Sequence, residues 1–192
     1  MRPTTHTCCV ALHKPLSARI NRGRPSVVLR VASLFALVAC GDSTGLVPTA
    51  TYYYQSSPGE FVGAGNSERV VYRAGQWQAM PNPTGVVEHV WITLGGPPGS
   101  ETWDLHFAAP SGQPLAVGTY ESALRYGLNG THPGLSVTGH ARGCNTLTGR
   151  FVVRELALRG NELERLHATF EQHCEGAPEV LSGMIYIGVI PG

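Results

Sequence analysis

Six histidines, thirteen carboxylates and two cysteines are the reactive side chains that follow Cys40 in this 192-residue chain. His167, Thr169, Glu171 and His173 recur at every second position. In a strand they share one face, with alternate residues roughly 6.6–7 Å apart. Glu171 and His173 can meet there, which suits acid–base chemistry or a metal; a polar, solvent-facing strand accounts for the same spacing. Glu155 and Glu171 can lie across adjacent strands, the arrangement a glycosidase needs. Ser122, Ser136 and Ser182 all lack the Gly-x-Ser-x-Gly elbow of a serine hydrolase. Gly63-Ala-Gly65 is no phosphate loop, because no helical pattern and no lysine follow it. Tyr52, Tyr53, Tyr54, Trp77, Trp91 and Trp103 offer faces for a sugar. Trp91 and Trp103 are expected to fill a core. Three successive tyrosines on a strand cannot all point inward, so at least one ring is expected outside.

The elements that must position these groups read as strands. Val86–Leu94 is a strong β run that stops at Gly95-Gly-Pro-Pro-Gly99. In 102–107, Trp103, Leu105 and Phe107 alternate with Asp104 and His106. Shorter runs cover 68–73, 118–122 and 135–138; longer ones cover 149–158, 163–174 and 181–190. Residues 162–172 contain good helix formers, but Leu166, Ala168 and Phe170 fit a period of two. Gly (24) and Pro (14) make up about a fifth of the chain, and charged residues only 14%. That composition disfavours a helical bundle. We expect an all-β domain, an antiparallel β-sandwich of about eight to nine strands, with a small up-and-down β-barrel as the alternative.

Charge separates the chain into two parts. Six basic residues and no acid precede Cys40; eight arginines, no lysine and thirteen acids follow, a net charge of −5. An acidic domain disfavours a nucleic-acid partner. The basic head leads into Val31–Ala39, a nine-residue run apolar except for Ser33, too short to cross a ~30 Å hydrocarbon core. This is the pattern of an export signal. Leu37-Val-Ala-Cys40 resembles the lipobox of bacterial lipoproteins. The resemblance implies removal of residues 1–39 as a signal peptide, acylation of Cys40, a lipid bilayer as partner, and passage through the lipoprotein processing and sorting machinery. Gly41 in the position after Cys40 implies sorting to an outer membrane. The basic head is unusually long for the family. Residues 41–51 read as a short polar tether after the lipidated cysteine, and 52–192 as a single domain.

Cys144 and Cys174 remain as an even pair in an oxidising compartment, which reads as a disulfide closing a loop of about 30 residues. A metal site with His173 is the rival. It lacks the Cys-x-x-Cys spacing, and neighbours on a strand face opposite ways. Ala141-Arg-Gly-Cys-Asn-Thr-Leu-Thr-Gly-Arg-Phe151 and Phe170-Glu-Gln-His-Cys-Glu-Gly176 resemble an uncharacterised all-β domain of secreted bacterial proteins. That resemblance implies the same disulfide and names no catalytic residue. Arg142, Asn145, Glu171 and His173 are the candidate ligand-binding residues; we name no catalytic residue, metal or cofactor. The function expected is a lipid-anchored envelope protein that binds or scaffolds without catalysis. The alternatives are an envelope hydrolase acting on glycan or peptide, and a lipocalin-like carrier of a small apolar ligand.

Overall fold

In a computed structural model the described residues are 46–81, 87–95 and 102–191. The expected signal peptide, Cys40 and the expected tether as far as Gly45 lie outside them. The described residues form ten strands and no helix: β1 Leu46–Ser56, β2 Ser67–Arg73, β3 Trp77–Pro81, β4 His89–Leu94, β5 Trp103–Ala108, β6 Gly118–Arg125, β7 Gly134–Gly139, β8 Leu147–Arg159, β9 Glu162–Cys174 and β10 Leu181–Pro191. All belong to one sheet in the order β2-β1-β10-β9-β8-β6-β7-β5-β4-β3. The domain is therefore all-β in its barrel form rather than two stacked sheets. β3 is a strand that the sequence pattern did not reveal.

Closure follows from chain direction. β2 and β3, the two edges of the sheet, are consecutive and run the same way. β2 pairs with β1, and β3 pairs with β4. Residues 74–76 join them, with Gln76 N–H donating to the Arg73 carbonyl at 2.9 Å. The two edges are thus halves of one bent run, and the sheet curls into a nearly closed barrel. Counting that run once leaves an odd number of strands, which cannot all be antiparallel around a ring. The one parallel neighbour pair among the described strands is β6–β7, matched only at Leu124–Gly134 and Arg125–Leu135. The order is not that of an up-and-down barrel.

Alternation assigns the faces. On β9, Leu166, Ala168, Phe170 and Cys174 are buried, as their period of two predicts. On β1, Tyr52 and Tyr54 point inward and Tyr53 outward, 37% exposed. β1 begins at Leu46, so residues 46–51 belong to the sheet and not to the tether. Their pairing with β10, from Leu46–Pro191 to Thr51–Tyr186, recruits them. Side chains fill the interior. Tyr54 and Trp103 have ring centroids 4.5 Å apart, Tyr52 and Trp103 5.2 Å, and Phe107 and Phe151 5.4 Å. Each such buried aromatic contributes about 2–3 kcal/mol of transfer free energy.

Two buried polar side chains brace one end of the barrel. Glu60 accepts hydrogen bonds from the Ser56 hydroxyl (2.7 Å) and from the N–H groups of Val62 (2.8 Å) and Gly63 (2.6 Å). It thereby organises the β1–β2 loop. Gln172 is fully buried. Its Oε1 accepts from Val137 N–H at 2.7 Å and its Nε2 donates to Val137 O at 2.9 Å. This side-chain amide stands where a neighbouring strand would otherwise pair with β7. Beyond Arg125 there is no such strand, because β6 has ended.

Candidate functional site

The end of β6 leaves a notch in the barrel wall, between β7 and the start of β8. Backbone groups on that edge of β7 are accounted for. Leu135 O accepts from Tyr126 N–H at 3.0 Å, Gln172 serves Val137, and Gly139 exchanges two hydrogen bonds with Arg142 at 2.8 and 3.0 Å. The edge therefore offers no open ladder for an added strand, and recognition falls to side chains. A cavity of about 270 Å³ occupies the notch, with His106, Arg125, Tyr126, Ser136, Thr138 and Asn145 among its lining. Cys144, also in its wall, is joined to Cys174 by a disulfide with a Cα–Cα separation of 5.0 Å. That bond fixes the loop carrying Asn145. Glu175 supports the same loop, accepting from the N–H of Asn145 at 2.5 Å and from the Thr146 hydroxyl at 3.0 Å. These bonds hold its carboxyl below the usual carboxylate range.

His106 and Tyr126 in one wall belong to a wider aromatic platform, built by Tyr126 over the outer face of β4 and β5. His89 and His106 share a hydrogen bond of 3.0 Å, with ring planes only 5° apart. Tyr126 lies across both, its ring centroid 4.0 Å from His89 and 4.8 Å from His106. The Tyr126 hydroxyl is 3.1 Å from His89 Nδ1. Trp91 flanks His106 at 5.3 Å. Burial lowers the His89 pKa to about 4, helped by the neighbouring His106. Burial also lowers that of His106, with Asp104 opposing. The pair is uncharged at neutral pH. Asp104 Oδ1 accepts from Trp91 Nε1 at 3.0 Å and from the Thr93 hydroxyl at 2.8 Å, pinning the platform's edge.

The residues singled out in the sequence do not converge. Asn145 lines the notch, while Arg142 lines a different cavity, of about 500 Å³, on the other side of the same loop. Glu171 is on the outer face of β9, bound to Arg150 at 2.6 and 3.0 Å. That hydrogen bond leads the causes that lower its pKa. His173 Nδ1 lies 3.0 Å from the carbonyl of Glu179. Glu155 is occupied by Arg165. Trp103 is in the core as expected, but Trp91 is 37% exposed. Val90, Ile92 and Leu94 take the inward positions of β4, so parity turns Trp91 out. The His89–His106–Tyr126 platform was missed. The alternation of Asp104 and His106 was a signal for half of it. The β4–β5 register that sets Trp91 opposite His106 was not legible. Comparison with protein-family models, curated proteins and solved structures finds no match for this chain.

Proposed function

We propose that this chain is a lipid-anchored binding module of the bacterial cell envelope, held to a bilayer through acylated Cys40, that recognises a small polar ligand at the notch without catalysis. The observation that carries the reading is the notch itself. It is preformed where β6 ends, braced from inside by Gln172 and pinned by the disulfide. Its described lining pairs one arginine, hydroxyls and an amide with an uncharged aromatic wall. Such convergence of a few polar groups beside aromatic surface is characteristic of small-ligand sites. Two observations favour this over the alternatives. A glycan hydrolase needs a carboxyl with a raised pKa, whereas Glu171 is shifted downward and Glu155 is held by Arg165. A carrier needs space inside the barrel, and the interior is packed with aromatic rings.

Two measurements test the proposal. Mass spectrometry of the protein extracted from its own membranes should show cleavage before Cys40 and an attached acyl mass; a lipid-free or uncleaved product refutes the anchor. NMR titration of the mature protein with glucuronic acid and N-acetylglucosamine should give saturable shifts at Asn145, Tyr126 and His106. Shifts located elsewhere, no saturable shift, or conversion of the added sugar would overturn the notch as a non-catalytic binding site.

A further inference from the structure

The outer wall of the barrel carries the chemistry of the notch onward across three more strands. β7, β5, β4 and β3 are successive neighbours in the sheet. Their inward positions hold core residues such as Val137, Leu105 and Ile92. The register sets their outward residues in two rows that cross the strands. One row runs Ser136, His106, Trp91, Met80. The other runs Thr138, Asp104, Thr93, Gln78. Both rows start in the notch, because Ser136, His106 and Thr138 line it. The rows are two residues apart along each strand, a separation of roughly 6.6–7 Å, and three strand spacings make them roughly 14 Å long.

The rows differ in chemistry. Beyond Ser136 the first is aromatic and apolar, with Trp91 37% and Met80 42% exposed. The second offers hydroxyls, a carboxylate and an amide. It also holds the first in place: Trp91 Nε1 donates to Asp104 Oδ1 at 3.0 Å, and the same oxygen accepts from the Thr93 hydroxyl at 2.8 Å. The indole stands 5.3 Å from the His106 ring with the planes 17° apart. An exposed aromatic side chain tied at its polar edge loses little rotamer freedom when a ligand settles on it. A strip that is apolar along one side and hydrogen-bonding along the other matches a chain of pyranose rings, which have apolar C–H faces and hydroxyl rims. An acyl chain or apolar peptide would leave the polar row unmatched. A nucleic acid would meet Asp104 and no cation in either row. We propose that the two rows form a glycan-binding track, with one sugar unit in the notch and about three more laid across the Trp91 row, their hydroxyls toward Thr93 and Gln78. The first seat rests on the notch being a ligand site; the track makes that ligand a chain.

The test is an NMR titration of the mature protein in detergent micelles, following the Trp91 indole Nε1–H and the Asn145 backbone N–H. The probes are N-acetylglucosamine oligomers and cellulose-type glucose oligomers of one to four units. With at least one series, affinity should rise about tenfold or more from monomer to tetramer, and the longer oligomers should give a saturable shift at Trp91. Trp91→Ala should flatten that length dependence while the monomer still shifts Asn145, and Trp91→Phe should restore most of it. Affinity independent of length, with shifts at Asn145 alone, overturns the track and leaves the notch standing. A length-dependent shift at Trp91 with none at Asn145 keeps the track and overturns the notch as its first seat. No saturable shift with either series overturns the glycan assignment. The length series on the unaltered protein decides the matter even if Trp91→Ala folds poorly.

Discussion

Acidification from pH 7 towards pH 4.5 is expected to destabilise the barrel through the histidine pair, ahead of the bulk of carboxylate protonation. In the unfolded chain His89 takes a proton near its ordinary pKa of 6.5; in the folded protein it does so only at about 4. Between those values the unfolded state binds more protons, so stability rises with pH there and falls as pH drops. The contribution is fully present above 6.5 and is lost progressively down to about 4. That separation corresponds to roughly 3 kcal/mol at full strength. The ring keeps partial contact with water, and solvent screening reduces the expected loss to about 1–2 kcal/mol. His106, shifted in the same direction by burial, adds to it. Glu171 and Glu175, whose folded pKa values are lowered, contribute mainly below about 4.5 and so leave the window clear. Urea midpoints measured at several pH values in this window, with the disulfide intact, would record the loss. His89→Phe removes one proton-binding group while keeping a ring against Tyr126, and its stability should fall less steeply over the same range, leaving only the smaller contribution of His106. A flat profile in the unaltered protein, or an unchanged slope in His89→Phe, refutes the reasoning.

Replacing Cys144 and Cys174 together by serine should cost about 3–4 kcal/mol, the loop-closure contribution of a 30-residue separation, read from the urea midpoint. Gln172→Leu leaves the buried N–H and C=O of Val137 unpaired and should cost about 2–4 kcal/mol, with faster hydrogen exchange at Val137 N–H. The two tryptophans should separate: Trp103→Ala should lose about 3–5 kcal/mol, and Trp91→Ala about 1 kcal/mol or less, in thermal or chemical denaturation.

Much of this protein is local information, and local information is legible in a sequence. The period of two on β9 places Leu166, Ala168, Phe170 and Cys174 on one buried face from the residue types alone. Parity by itself turns one of three successive tyrosines outward. The even pair Cys144 and Cys174 indicates its own bond, and the β8–β9 register, which sets Leu147 opposite Cys174, brings the two together. The same logic failed for Trp91, whose size suggested core while the parity of Val90 and Ile92 decided otherwise.

What only the tertiary structure decided depends on register and closure. β2 shows in the sequence as a short run and β3 does not; as halves of one bent strand they close the sheet. The early end of β6 opens the notch, yet nothing in Gly118–Arg125 announces which strands will be left apart beyond it. Gln172 reads as an ordinary polar residue until β7 loses its neighbour and needs an amide in place of a strand. His89, His106 and Tyr126 span 37 residues from first to last, and no spacing rule links them. Their contact arises because β4 and β5 pair in one particular register and the chain after β6 folds back over that face. Side-chain alternation is dictated residue by residue, but neighbours across a barrel wall are chosen by the free energy of the whole closed sheet.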